Sequence, residues 1–347
     1  VRTIWSWLFG FFWWLNISFA YFPSKFIPWF ESEGQLSLYK IPGIIADLAI
    51  GYLIYKFVKR RSEFGGKVAA SFYLFNPAVI YFSSSWGQIE SLVGFFALAS
   101  FLALISRKYL KSTISMVFSL MTKATMLPLL PIYFFEFFKT KPKFKQILIA
   151  TTVVIFVLII FGTLFTDHNY FIWTIRNYWK KFMFGPGNLH FINLNGFNFW
   201  GFLLGLHRIS DKTMFLRVPL YAWGWILFLP FYLYIFSLHV GRRKNIFFTL
   251  ILISLSAFLF LPRMHERYLF PIFVFFPLLL FYIPKLRKYF YLLSGLYLLN
   301  LYHWWWFPRI EFLVNLLSLD FVERTLSFLV VFCFFAMLKE YLNYGKN

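Results

Sequence analysis

Apolar runs recur along the whole of this chain, near residues 41–58, 67–84, 88–105, 146–165, 217–238, 246–262, 269–284, 290–306 and 321–338. Each reads as a helix able to cross, or nearly cross, a hydrocarbon layer. Runs shorter than the ~20 residues of a perpendicular span are extended by flanking aromatic and basic side chains, or meet a locally thinned bilayer. Of the 347 residues, 60% are hydrophobic and only 14% are charged, where a soluble domain carries about 25% charged. Surface grows too fast with mass for a soluble fold of this length to hide so much apolar area. Lipid must be the solvent. The expected fold is all-α: a polytopic transmembrane bundle of about nine spanning helices, with a broken helical hairpin and an external juxtamembrane helix.

The net charge of +21 would point to nucleic acid in a soluble protein. Here the basic residues fall in short clusters between the apolar runs, the pattern of cytoplasmic loops, so no nucleic-acid partner is expected. The clusters are Lys59-Arg60-Arg61, Arg107-Lys108 with Lys111, Lys139 to Lys145, Arg242-Arg243-Lys244, Lys285 to Lys288, and the tail around Lys339 and Lys346. One alternation puts all of them on the cytoplasmic side, provided 113–138 enters and leaves from the same side. That stretch is too long for one helix and is broken by Pro128 and Pro131, so it reads as two short helices whose irregular backbone is shielded by protein. The chain is then a single domain over 1–347, with an external juxtamembrane segment 1–40, a bundle 41–338 and a cytoplasmic tail 339–347. Residues 3–22 are apolar enough to span, but Trp5, Trp13 and Trp14 equally suit a helix lying at the interface.

This topology sends 1–40, 84–88, 166–216, 263–268 and a segment near 307–320 outward, and the polar residues gather on that side. Arg263-Met264-His265-Glu266-Arg267-Tyr268 sits between two apolar runs with no linker. Such a cluster is costly to dehydrate unless it pairs or binds something. Arg263, His265 and Arg267 can hold an anionic phosphate, since guanidinium donates in a planar fork. An interfacial cluster with an internal Arg–Glu pair is the bland alternative. Trp86-Gly87-Gln88-Ile89-Glu90 follows Asn76-Pro77 and Ser83 to Ser85. Glu90 can orient an acceptor hydroxyl or pair with an arginine, or merely favour a helix start. Asp47 lies inside an apolar run and calls for a partner such as Arg263, Arg267 or Lys40. Lys123, in the broken hairpin, can neutralise a lipid phosphate or simply snorkel. In 166–216, with Arg176, Lys180, Lys181 and His190, the run Asn193 to Trp200 offers Asn195, Asn198 and Trp200 for sugar hydroxyls and ring stacking, or for closing turns. His168, His190, His265 and His303 lack metal-ligand spacing, and Cys333 is alone in an apolar run, so no metal site or disulfide is read.

Taken in order, Asn76-Pro77, Trp86-Gly87-Gln88, Lys123 before the proline-rich hairpin, Asn195-Gly196-Phe197-Asn198-Phe199-Trp200 and Met264-His265-Glu266-Arg267-Tyr268 resemble the GT-C superfamily of polytopic glycosyltransferases. They are most similar to the prokaryotic mannosyltransferases related to the GPI-anchor second mannosyltransferase. Tyr39-Lys40-Ile41-Pro42 through Asp47 resembles a helix start of that family, and the likeness runs from about 39 to 272. The resemblance implies a multi-pass protein of a prokaryotic plasma membrane with its site facing outward. It implies inverting transfer of a sugar, mannose in that family, from a polyprenyl- or dolichyl-phosphate carrier to an external acceptor, a glycolipid, protein or glycan; no residue pattern calls for a further cofactor or a divalent metal. Arg263, His265, Arg267 and Lys123 would bind the donor phosphate; Trp86, Gln88, Glu266, Tyr268, Asn195, Asn198, Trp200 and Asp47 would line or support the substrate site. Two departures stand out. Glu90 stands where the family has Asp, and Ile4-Trp5-Ser6-Trp7 resembles the sequence just after the Tyr-Pro-Pro element that follows the catalytic Asp in the family's first external loop. On that reading the first transmembrane helix and the catalytic Asp are missing, Glu90 is the candidate base that remains, and Glu31 and Glu33 lie on the correct side without a motif.

A transporter or flippase of a lipid-linked or anionic substrate is the alternative reading. Its polar residues belong near the midplane in repeat-related broken helices, whereas these gather at one interface without a repeat. A lipid-dependent acyltransferase would ask for a histidine base, and His265 is its candidate.

Overall fold

The computed structural model describes residues 34–163, 189–242 and 245–344, with short helical pieces inside 10–18 and 172–177. The rest of the segment 3–22, and Glu31, Glu33, His168, Lys180 and Lys181, lie outside the described residues.

Among the described residues the fold is all-α, with only two-residue strands. The first helices are α1 (Gln35–Lys59), α2 (Glu63–Leu74), α3 (Pro77–Ile80, continued by a π-helical turn Tyr81–Ser85), α4 (Glu90–Ile105), α5 (Tyr109–Thr122), α6 (Leu130–Lys139) and α7 (Phe144–Thr163). After α7 come β1 (Asn193–Leu194), α8 (Phe199–Leu204) and the hairpin β2 (Met214–Phe215) and β3 (Val218–Pro219). The last part holds α9 (Leu220–Arg242), α10 (Ile246–Phe260), β4 (Met264–His265), α11 (Pro271–Phe275), α12 (Pro277–Leu280), α13 (Arg287–Trp304), α14 (Glu311–Leu317) and α15 (Asp320–Asn343).

Among the described residues, three helices, Leu36–Lys59, Leu220–Gly241 and Asp320–Asn343, are long and apolar enough to cross a membrane. Their outer faces carry the apolar residues. On α1, Ile41, Ile45, Leu48 and Tyr52 are exposed while Ala46, Ile50, Ile54 and Val58 are buried. Both stripes recur at helical spacing: one meets the bundle, and the other is the lipid-facing surface of a membrane-associated protein. α10 is different. Every residue from Phe247 to Phe260 is buried, as expected of a helix apolar all round. It packs against α9, α11, α15 and the turn after α5, while α1, α2, α4 and α5 pack on one another alongside it.

Two apolar runs are not continuous helices. In 67–84, α2 stops before Asn76-Pro77. Proline disfavours the helical region at the residue before it, and Asn76 is extended (φ −70°, ψ 116°) with its side chain capping Ala78 N at 3.0 Å. In 269–284, α11 and α12 begin at Pro271 and Pro277, each lacking the N–H a continuing helix would use. The stretch 113–138 is split at Lys123, whose backbone is fully extended (φ −165°, ψ 142°), and passes through a 3-10 turn Ala124–Leu129 containing Pro128. The last helix continues to Asn343, so most of the expected tail is helical.

These breaks place the polar residues at one end of the bundle. α4 starts at Glu90 and ends before Arg107; α5 starts beside Lys111 and ends before Lys123; α10 follows Arg242 and ends before Arg263; α13 starts at Arg287 and ends beside His303. Each of these helices has a basic cluster at one tip; α4, α5 and α10 have a candidate functional residue at the other, and α13 has His303 there.

Candidate functional site

Glu90 opens α4 and is buried. Lys123, which leaves α5 in extended conformation, donates from Nζ to Glu90 Oε1. From the turn after α10, Arg267 Nε lies 3.6 Å from the same Glu90 oxygen, and Arg267 Nη1 lies 3.8 Å from Glu266 Oε1. His265 Nδ1 is 3.7 Å from the other Glu266 oxygen. Tyr268 closes the group: Lys123 Nζ stands 5.2 Å and Arg267 5.8 Å from its ring centre, both in cation–π range, and the His265 ring meets it edge-on at 5.4 Å. Burial pushes the Lys123 ammonium below its usual pKa although Glu90 pulls it back up, and burial raises the Tyr268 hydroxyl.

The cluster is only partly satisfied. Among the described residues, Glu90 Oε2, both carboxylate oxygens of Glu266 and Arg267 Nε are buried without a hydrogen-bond partner. Leaving a buried polar atom unpaired costs about 1–3 kcal/mol, more when it is charged. Buried polar atoms without partners are rare in folded proteins, and each calls for an explanation.

Trp86 and Gln88 flank Gly87, which has φ +78°. A Cβ there would stand 3.1 Å from Lys40 Cγ, so both the conformation and the space call for glycine. Trp86 stacks on Trp305 at 5.9 Å, forming an aromatic wall with Tyr81. The Gln88 N–H donates to Phe82 O and closes the turn.

The Asn193–Trp200 run joins the same end through β1, which pairs parallel to β4 with Leu194 opposite His265. Asn195 sits at φ +66° and bridges His265. Its backbone oxygen accepts from Asn300 at 2.7 Å, and its side-chain oxygen lies 2.8 Å from His303 Nδ1, whose Nε2 reaches Glu323 at 3.1 Å. Asn198 caps α8 by accepting from Gly201 N at 3.0 Å, and Trp200 Nε1 donates to Phe260 O at 2.9 Å. Both are buried and bind the loop to the tip of α10. Arg263, at φ +61°, donates from Nε to the buried Asp211 at 2.6 Å and lies 3.1 Å from His190.

The sequence motifs at Trp86–Glu90, Lys123, Asn195 and His265–Tyr268 therefore meet, while Asn198, Trp200 and Arg263 serve as ties beneath them. Asp47, on α1, is buried; Tyr73 donates to it at 2.6 Å instead of an arginine, and Ser83 and Ser91, the residue after Glu90, stand beside it. Asp211, Asn300 and Glu323 were not singled out from sequence. Each has its partner remote in the chain, and no local pattern announces it. Among the described residues, no three His, Cys, Asp or Glu side chains are placed to share a metal ion.

No family model matches the chain, and no curated protein matches it.

Proposed function

We propose that this protein is a membrane glycosyltransferase of GT-C type that takes a sugar, mannose by resemblance, from a polyprenyl-phosphate carrier. The carrying observation is the cluster of buried Glu90 and Glu266 with half-buried Lys123 and Arg267, assembled from three distant parts of the chain, with four polar atoms unpartnered among the described residues. In this reading the bundle makes nine passes: α1, α2 with α3, α4, α7, α9, α10, α11 with α12, α13 and α15. The α5–α6 hairpin dips in and returns. The opposition of basic tips and cluster tips supports a site on the non-cytoplasmic face, in a prokaryotic plasma membrane.

The reaction is one inverting displacement. The acceptor hydroxyl oxygen bonds to the anomeric carbon from the face opposite the carrier. The carbon–oxygen bond to phosphate breaks, and the phosphate leaves with the bonding pair. The acceptor proton passes to a carboxylate; Glu90 Oε2 makes no hydrogen bond and is free to receive it. Arg267 and Lys123 stabilise the charge developing on the departing phosphate. The Trp86–Trp305 wall offers faces on which a sugar ring or carrier can lie.

The test is transfer from a radiolabelled polyprenyl-phosphate-mannose donor in proteoliposomes, with wild type and Arg267→Ala compared at equal folded amounts. The variant should lose about 10²–10³ in rate, the scale of removing one charge-stabilising donor. Full activity in Arg267→Ala overturns the phosphate-site assignment. Donor crossing the bilayer chemically unchanged would favour a transporter.

A further inference from the structure

At the opposite end of the bundle a cavity of about 300 Å³ opens between four elements: the end of α1, the start of α10, the α12 turn and the end of α15. That volume is at the lower limit of small-ligand sites. Arg60 and Arg61 line it together with Leu278, Leu279, Ile283, Asn245 and Tyr344. The lining is thus both cationic and aliphatic.

Among the described residues, no carboxylate lies within ion-pair distance of either arginine. The nearest acidic candidate in sequence, Glu63, is engaged by Lys59 at 3.8 Å and Lys67 at 3.7 Å. Arg61 lies over the Tyr282 ring at 5.2 Å and Arg60 over Phe57 at 6.0 Å, which holds the guanidinium planes beside the cavity without spending their charge. Asn245 accepts from Phe247 N at 2.9 Å through its side-chain oxygen, leaving its two N–H donors for a ligand. Basic residues at the end of α1 also suit the helix dipole, but that role needs neither a cavity nor an aliphatic wall.

We propose that this cavity binds an anionic phospholipid, with the headgroup phosphate held by Arg60 and Arg61 and the start of an acyl chain lying along Leu278, Leu279 and Ile283. Two guanidiniums match a phosphate in charge and donor geometry. The aliphatic lining selects a phosphate that arrives attached to a lipid. The site is separate from the Glu90–Arg267 cluster, and its test does not depend on sugar transfer.

Native mass spectrometry of the full chain in neutral detergent reads the test, with phosphatidylglycerol, phosphatidylcholine and inorganic phosphate as separate probes. Phosphatidylglycerol should be retained over phosphatidylcholine, and Arg60→Ala with Arg61→Ala should weaken that retention at least about tenfold. Lys285→Ala with Lys288→Ala removes the same charge from the same end outside the cavity and should change it less than about twofold. Phosphatidylglycerol should also raise the thermal midpoint of wild type and not of the Arg60/Arg61 variant, a readout that reports the folded protein directly. Equal losses in both variants would mean diffuse attraction to a basic surface and overturn the site. Equal binding of phosphatidylcholine, or displacement of the lipid by inorganic phosphate alone, would overturn its assignment to an anionic lipid.

Discussion

Removing Arg267 should harm the fold through one particular neighbour, and that neighbour can be neutralised to test the reasoning. Arg267 lies 3.6 Å from Glu90 and 3.8 Å from Glu266, with its side chain 21% exposed. At such separations each attraction is about 4 kcal/mol gross at the effective dielectric of partly buried protein sites, and desolvation offsets much of it. Glu90 keeps Lys123 when Arg267 is lost. Among the described residues, Glu266 is fully buried, accepts no hydrogen bond, and keeps His265 at 3.7 Å as its close ionisable partner. The cost of Arg267→Ala therefore concentrates on Glu266, and should reach about 3–5 kcal/mol, the usual penalty for stripping one partner from a buried pair. In nanodiscs, followed by tryptophan fluorescence, that is a fall in thermal midpoint on the order of 5–10 °C. Glu266→Gln keeps the shape and removes the charge, so Arg267→Ala/Glu266→Gln should recover at least about half of the fall. A double variant that melts at or below the single one would show that the two side chains are not coupled.

Other outcomes follow from particular contacts. Asn198→Ala removes the cap on Gly201 N and should cost about 1–2 kcal/mol, read as a lower midpoint and faster proteolysis between 189 and 219. Gly201→Ala should cost about 1–3 kcal/mol, because a Cβ there would stand 2.8 Å from the backbone oxygen of Gly196 and 2.8 Å from Ser327 Oγ. Burial alone would raise the Glu136 carboxyl, but hydrogen bonds from His239 and Lys139 and their charges outweigh it and hold its pKa below the usual 4.5. A folded-state pKa that is lowered gives stability present above that usual value and lost as pH falls through the lowered one. Wild type should accordingly lose more midpoint than Glu136→Gln on acidification from pH 5 to pH 3, and equal losses would remove Glu136 from the account.

The helices were legible because lipid-facing and buried stripes both produce apolar runs, and the broken hairpin was legible because Pro128 and Pro131 interrupt one. The break at Asn76-Pro77 was visible in the residues but hidden inside a run apolar throughout, where hydropathy does not register a lost N–H. The meeting of Glu90 with Lys123 depends on how α4 and α5 lie together, which no spacing of residues 90 and 123 encodes. Arg263 stood out for its charge, yet its partner Asp211 lies in a loop with no apolar period. Asp47 announced a need for a partner, and packing of α1 on α2 supplied the Tyr73 hydroxyl.

α10 touches no lipid along nearly its whole length, and Arg263 to Tyr268 hang from its end. A bilayer that thins, thickens or stiffens presses first on the outer ring formed by α1, α9 and α15, which can tilt to follow it. The innermost column receives that pressure only through side chains already close-packed. Changes in membrane composition should thus shift the rim while the charged residues at the column's tip keep their spacing, as a mast holds its masthead level while the deck around it rolls.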